Sequence, residues 1–202
     1  MNKGIIIGII IGIIVIGGGL ASPLFYETEI NESLPTALDN IESGLTMETF
    51  SSMDDNQRQS IIEKMPEKVK DMIMEESAKI TQTVSEDMGE MVKEESSNEL
   101  EIIKTGTFEG LAGHQAQGIA KILTVNGESF LRFEEFNVTN GPDLRVYLTP
   151  NADVHDGIHL EKLKGSKGNQ NYSLDNIDTS VYDTVVIYCQ PFGAYFGQAE
   201  LN

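Results

Sequence analysis

Cys189 is the one side chain in this sequence that carries ready redox chemistry of its own. As a thiolate it can be oxidised to a sulfenic acid or can ligate a metal or haem; sealed among apolar groups it is an inert small hydrophobe. The balance rests on a nearby positive group, which favours the thiolate, against burial, which suppresses it. A single cysteine excludes a disulfide within the chain and any multi-cysteine zinc or iron–sulfur site. Other metal-ligating types are sparse. His155 and His159 stand four apart, a metal-pair spacing only on a helix, and Gly157 between them argues for a surface loop. Met47, Met53, Met65, Met72, Met74, Met88 and Met91 offer thioethers that suit copper, but flexible methionine also fills helical seams with no metal. Asp143, in Asn140-Gly-Pro-Asp143, suits a turn cap rather than a catalytic acid. No nucleophile elbow, P-loop, H-E-x-x-H or dinucleotide fingerprint accompanies these residues, which argues against hydrolase chemistry.

The elements that must position Cys189 lie in the second half of the chain. Of 14 Phe and Tyr, only Phe25, Tyr26 and Phe50 precede residue 105. Aromatic side chains build cores and sheet faces, so residues 105–202 are expected to hold the packed domain. Apolar residues alternate there. Ile119, Leu123 and Val125 lead into Asn126-Gly127 and on to residues 129–133, a strong hairpin signal. Leu144, Val146 and Leu148 alternate with Arg145 and Tyr147; the run Val185, Val186, Ile187, Tyr188 reads as a central strand covered on both faces. On such a strand Cys189 shares a face with Val185 and Ile187. In the last strand Tyr195, Gly197, Ala199 and Leu201 are expected opposite Phe196, Gln198 and Glu200. Seven or eight short strands of this kind predict an all-β domain over 105–202, a sandwich or a barrel.

The first half differs. The net charge is −18, with −12 on residues 1–104 and −6 on 105–202, which excludes nucleic acid as a partner. Residues 4–26 carry no charge and are long enough to span a bilayer, which takes about 20 apolar residues. Lys3 before the run and Glu27 after it favour an N-terminus inside and the rest outside. Segment 1–26 therefore reads as a transmembrane or signal anchor contacting membrane lipid through residues 4–26. If it is cleaved, for which Gly19-Leu20-Ala21 offers a site, the protein is secreted. Gly4, Gly8 and Gly12 share one helix face, the pattern that lets membrane helices pair. Residues 27–104 read as an acidic α-helical spacer without a strand, a surface for a protein partner. Ser52–Asp55 suggests a capping box, Pro66 a break, and Val69, Ile73, Ile80, Val84, Met88 and Val92 one long helix. Asn31, Asn137 and Asn171 open glycosylation sequons.

Residues 105–201 resemble the DM13 domain family along nearly their whole length. The matching pieces include Gly106-Thr-Phe108, His114 with Gly118, Leu131-Arg132 with Phe136, Asn140-Gly-Pro-Asp-Leu144, Gly168-Asn-Gln-Asn-Tyr172, Val185-Val-Ile-Tyr-Cys189, Phe192 and Phe196. The resemblance does not reach residues 1–104. It implies a β-sandwich-like domain, secreted or membrane-anchored, with a redox or electron-transfer role tied to a characteristic cysteine, which is Cys189 here. It makes His114 the first candidate partner of the thiol, expected within a few ångströms, with Arg132 and Arg145 as alternatives from neighbouring motifs. An imidazolium there would lower the thiol pKa, and Cys189 with His114 could hold a haem or a metal. Gly193-Ala194 departs from the bulkier residues common in the family and predicts a more open wall beside Cys189. Two functions follow: a membrane-anchored extracytoplasmic redox module acting through Cys189, or a non-enzymatic adhesion or ligand-binding β domain on a helical stalk.

Overall fold

A computed structural model describes residues 33–88 and 100–202. Among the described residues four short helices come first: α1 (Leu34–Ile41), α2 (Met47–Ser52), α3 (Asp55–Ile62) and α4 (Glu67–Ala78). Two of them start on reciprocal caps. Thr46 accepts from the Thr49 amide and Asp54 from the Gln57 amide, while Thr49 and Gln57 side chains reach back. The expected box at Ser52–Asp55 is thus shifted by two residues; the box Asp54–Gln57 is the one that forms. Pro66 separates α3 from α4 as expected and stands at the start of α4, where its carbonyl accepts from the Val69 and Lys70 amides. Ala37, Leu38, Phe50, Ile61, Ile62, Met65, Val69 and Ile73 turn inward from these helices.

The long helix expected from Val69 to Val92 ends instead at Ala78. Thr83–Ser85 is a strand, β1, which pairs in parallel with a strand far along the chain. A second strand, β2 (Leu100–Thr107), crosses the 104/105 boundary, so the region read as wholly helical carries strand at both places. Among the described residues no helix is long and apolar enough to cross a membrane, and the anchor expected over 1–26 lies outside them. Asn31, Met91 and Val92 also lie outside the described residues.

The remaining strands are β3 (Glu109–Gly110), β4 (Ala116–Val125), β5 (Glu128–Val138), β6 (Leu144–Thr149), β7 (Ile158–Lys162), β8 (Lys167–Ser173), β9 (Thr184–Cys189) and β10 (Ala194–Glu200). They form two five-stranded sheets, in the orders β1-β8-β5-β4-β2 and β3-β10-β9-β6-β7. The second half of the chain is therefore mostly β and sandwich-like. Asn126 and Gly127 turn the β4–β5 hairpin with φ of 52° and 85°, as the Asn-Gly signal requires. The core lies between the sheets. Phe108, Phe133 and Phe136 meet edge-on or tilted at 4.8–4.9 Å, against Val146, Leu148, Val185 and Ile187. β9 is central, as read, and both Val185 and Val186 are buried. In β10 a bulge between Tyr195 and Gly197 breaks the expected alternation and turns Phe196, Ala199 and Leu201 inward.

Candidate functional site at the end of β9

Cys189 closes β9, in register with Leu144 of β6 and Ala194 of β10. Its side chain lies in the buried core with Val185 and Ile187, the face predicted for it. The cysteine is 0% exposed. Burial pushes its thiol up to about 11, while backbone hydrogen bonds from Phe192 and Asp143 pull weakly the other way. The expected depressed thiol pKa is therefore reversed, and the physical reason is desolvation. Gly193 is exposed and lines a cleft with Tyr188 and Phe192, as the expected open wall would have it, yet Cys189 itself stays buried. Phe50 of α2 stacks on Phe192 at 6.3 Å, and Met74 of α4 packs on the core that holds Cys189.

His114 lies in the turn after β3, its amide donating to the Leu111 carbonyl. Its ring lies flat on Phe196, at 3.6 Å between centroids and 7° between planes. Burial lowers its pKa, which favours the neutral imidazole. Phe196 belongs to the same core as Cys189. The partner the structure gives the imidazole is thus a phenyl ring, and His114 is not among the groups that shift the thiol. Gly141 makes room for this arrangement, since a Cβ there would stand 2.9 Å from the Phe196 ring.

The two arginine alternatives serve carboxylates. Arg132 donates to Glu134, to the Asn171 side chain and to the Glu86 carbonyl. Lys121 also pairs with Glu134. The Asn171 sequon is in consequence buried, its amide nitrogen donating to the Asp87 carbonyl. Asn137 is exposed on β5. Arg145 belongs to a closed ring of charges that sequence reasoning did not anticipate. Arg58 Nη2 lies 2.6 Å from both Asp55 and Asp143, and Arg145 Nη2 lies 2.6 Å from Asp55 and 2.9 Å from Asp143. Lys162 approaches Asp143 from the rim at 3.4 Å. Asp143, read as a turn cap, is the hub of this ring, and its carbonyl accepts from the Gln190 amide beside Cys189. Hydrogen bonding to Arg145, opposed by burial and aided by Arg58, holds Asp55 at about 2. Burial would lower Arg145, but its bonds to Asp55 and Asp143 raise it overall.

Two further groups flank the site. His159, Tyr147, Tyr188 and Tyr195 form a ladder of rings at 5.2, 5.9 and 5.1 Å on the outer face of the β9 sheet. His155 sits apart in a short 3-10 turn whose cap is Asp153, so His155 and His159 lie on different elements. Met65 is buried in the connection between α3 and α4, and Met74 packs half-buried on the core, the filler role read for methionine.

A metal or haem at Cys189 does not fit this packing. Cys189 is wholly buried, its thiol held by backbone groups of Phe192 and Asp143, and among the described residues no group of three His, Cys, Asp or Glu could hold a metal ion. What the site can do is hold one thiol, protonated and dry, under a lattice of paired charges. Comparisons with curated proteins and with solved structures find no match. The resemblance read from the motifs stands for the β domain: residues 107–201 match the sequence profile of the family described as Electron transfer DM13.

Proposed function

We propose that this protein is an electron-transfer module whose redox group is Cys189, held at a membrane by residues 4–26 with the β domain outside. The observation that carries the redox reading is the family match over 107–201 together with the placement of the only cysteine at the end of its central strand. The uncharged run after Lys3 supports the anchor. The thiol has a defined oxidation open to it. Its thiolate attacks a peroxide oxygen, the O–O bond breaks, water leaves after taking a proton, and the sulfur becomes a sulfenic acid, two electrons having passed to the peroxide. Reduction by a partner thiol returns it in two steps: a mixed disulfide forms with loss of water, and a second thiol then resolves it. His114 bears on this end of the core through Phe196.

The test is trapping of the sulfenic acid with dimedone after peroxide treatment of the folded protein. An adduct at Cys189, absent in Cys189→Ser, is expected. A folded protein that never forms the adduct would overturn the reading. One observation favours a second function, because the thiol is fully buried and its pKa is high. That is the environment of a structural cysteine, and it suits a non-enzymatic adhesion or ligand-binding domain.

A further inference from the structure

Helices α1–α4 lie outside the matched domain, yet Phe50 and Met74 pack on the part of it that holds Cys189 and Phe192. The seam between helices and sheets runs past the Cys189 end of β9. Arg58 of α3 reaches Asp143, and Phe50 of α2 covers Phe192. Two clefts open along this seam. One, of about 430 Å³, lies between Met47, Ser51 and Ser77 on the helices and Gly141, Asp143 and Lys162 on the β domain. The other, of about 560 Å³, lies between Ile62, Lys70 and Met74 on the helices and Tyr188, Gln190 and Phe192 on the β domain. Between the clefts Asp55 and Arg58 join the helices to Arg145 and Asp143, beside the Phe50–Phe192 contact.

These charges are balanced whether or not the helices are docked. With them in place, Asp55, Arg58, Asp143 and Arg145 alternate in sign around the ring. With them away, Asp143 keeps Arg145 at 2.9 Å and Lys162 at 3.4 Å, while Asp55 and Arg58 keep each other at 2.6 Å. Breaking a buried ion pair is costly because it strands a charge without a partner. Here undocking strands none. The helices are also tethered. Just past α4, the Gln82 amide donates to Ser166 Oγ, and β1 pairs with β8. Residues 79–81 are the link on which the helices could swing while β1 stays bound.

We infer that residues 34–78 form a displaceable cap that closes Cys189 off and gives access to it when the Arg58–Asp143 contact parts. The inference rests on the redox reading of Cys189 and adds its regulation: the thiol is reached through a local opening, not through unfolding of the β domain.

The test is native-state alkylation of the full chain with N-ethylmaleimide over a series of urea concentrations too low to unfold it. Amide exchange at Val186 and Ile187 in β9 reports global unfolding in the same samples. The expected result is labelling of Cys189 with a much shallower urea dependence than the β9 amides show. Arg58→Met keeps the stem of the side chain and removes its charge. It should speed labelling by at least about tenfold while the β9 amides keep their protection. Labelling that follows the β9 amides in the wild-type chain would overturn the cap, whatever the variant does. Alkylation reads access and not electron transfer. A thiol that opens locally but forms no sulfenic acid would sink the redox reading and leave the cap standing.

Discussion

Arg58 and Asp143 meet at 2.6 Å with both side chains only 3% exposed, joining a helix to a turn of the β domain. A buried pair of this kind is worth most when one partner is removed. Asp143→Asn would leave Arg58 and Arg145 sharing Asp55 alone. A loss of about 3 kcal/mol in urea unfolding is expected, with the far-UV spectrum retained below the transition.

The thiol sets an alkaline limb. Its pKa in the folded protein is raised by burial from an ordinary 9.0 to about 11. The folded state holds the proton longer, so this contribution is complete below about pH 9 and is lost as pH rises toward 11. Burial raises Tyr147, Tyr172 and Tyr188 as well, with the same sign, so the wild-type curve carries all of these effects. Cys189→Ala should flatten the decline of stability between pH 9 and 11 relative to wild type, as read by thermal unfolding across that range. An identical decline in the two proteins would refute the assignment.

Asp55 sets the acid limb. Its carboxyl is held at about 2 against an ordinary 3.8, chiefly by Arg145. A depressed acid stabilises the fold above its unfolded value, and the gain disappears as pH falls from 3.8 toward 2. Asp55→Asn should therefore weaken the protein at pH 7 and reduce the loss of stability between pH 4 and 2. Carboxyl chemical shifts followed by NMR provide the direct check.

Gly168 fixes the tether. It faces Val84 in the β1–β8 pair with φ of 107°, and the Val84 carbonyl occupies the place of a Cβ. Gly168→Ala should cost about 1–3 kcal/mol and release residues 79–88 to limited proteolysis while the β9 amides stay protected.

Much of the β domain could be read from alternation and turn chemistry, because the Asn126-Gly127 hairpin and the doubly buried run at Val185–Ile187 are local patterns. The inward face of Cys189 followed from the same period. β1 was hidden for a physical reason: a three-residue parallel strand has no hairpin turn to announce it, and Ile80, Val84 and Met88 prolong the helical spacing of α4. The bulge at Tyr195–Gly197 likewise leaves no mark in composition. The state of the thiol depends on its burial, and the region around it is packed by residues far away in sequence, Phe50 on Phe192 and Met74 on the core. The ring around Asp143 had one available clue. The chain has only three arginines, Arg58, Arg132 and Arg145, and Arg58 alone lies in the acidic helical region. All three are buried, as suits a guanidinium that binds carboxylates with a planar fork.

The distance along the chain between Asp55 and Arg145, 90 residues, has a consequence for biosynthesis. The helices leave the ribosome well before the strands that cover their apolar faces and bring Asp143 and Arg145 to Arg58 and Asp55. At ordinary translation speeds the interval is on the order of ten seconds. Short helices without tertiary contacts are marginal in water, so in that interval the segment persists as a fluctuating acidic coil. Its many carboxylates disfavour association with like chains, and docking onto the finished sandwich becomes a late, slow step of folding.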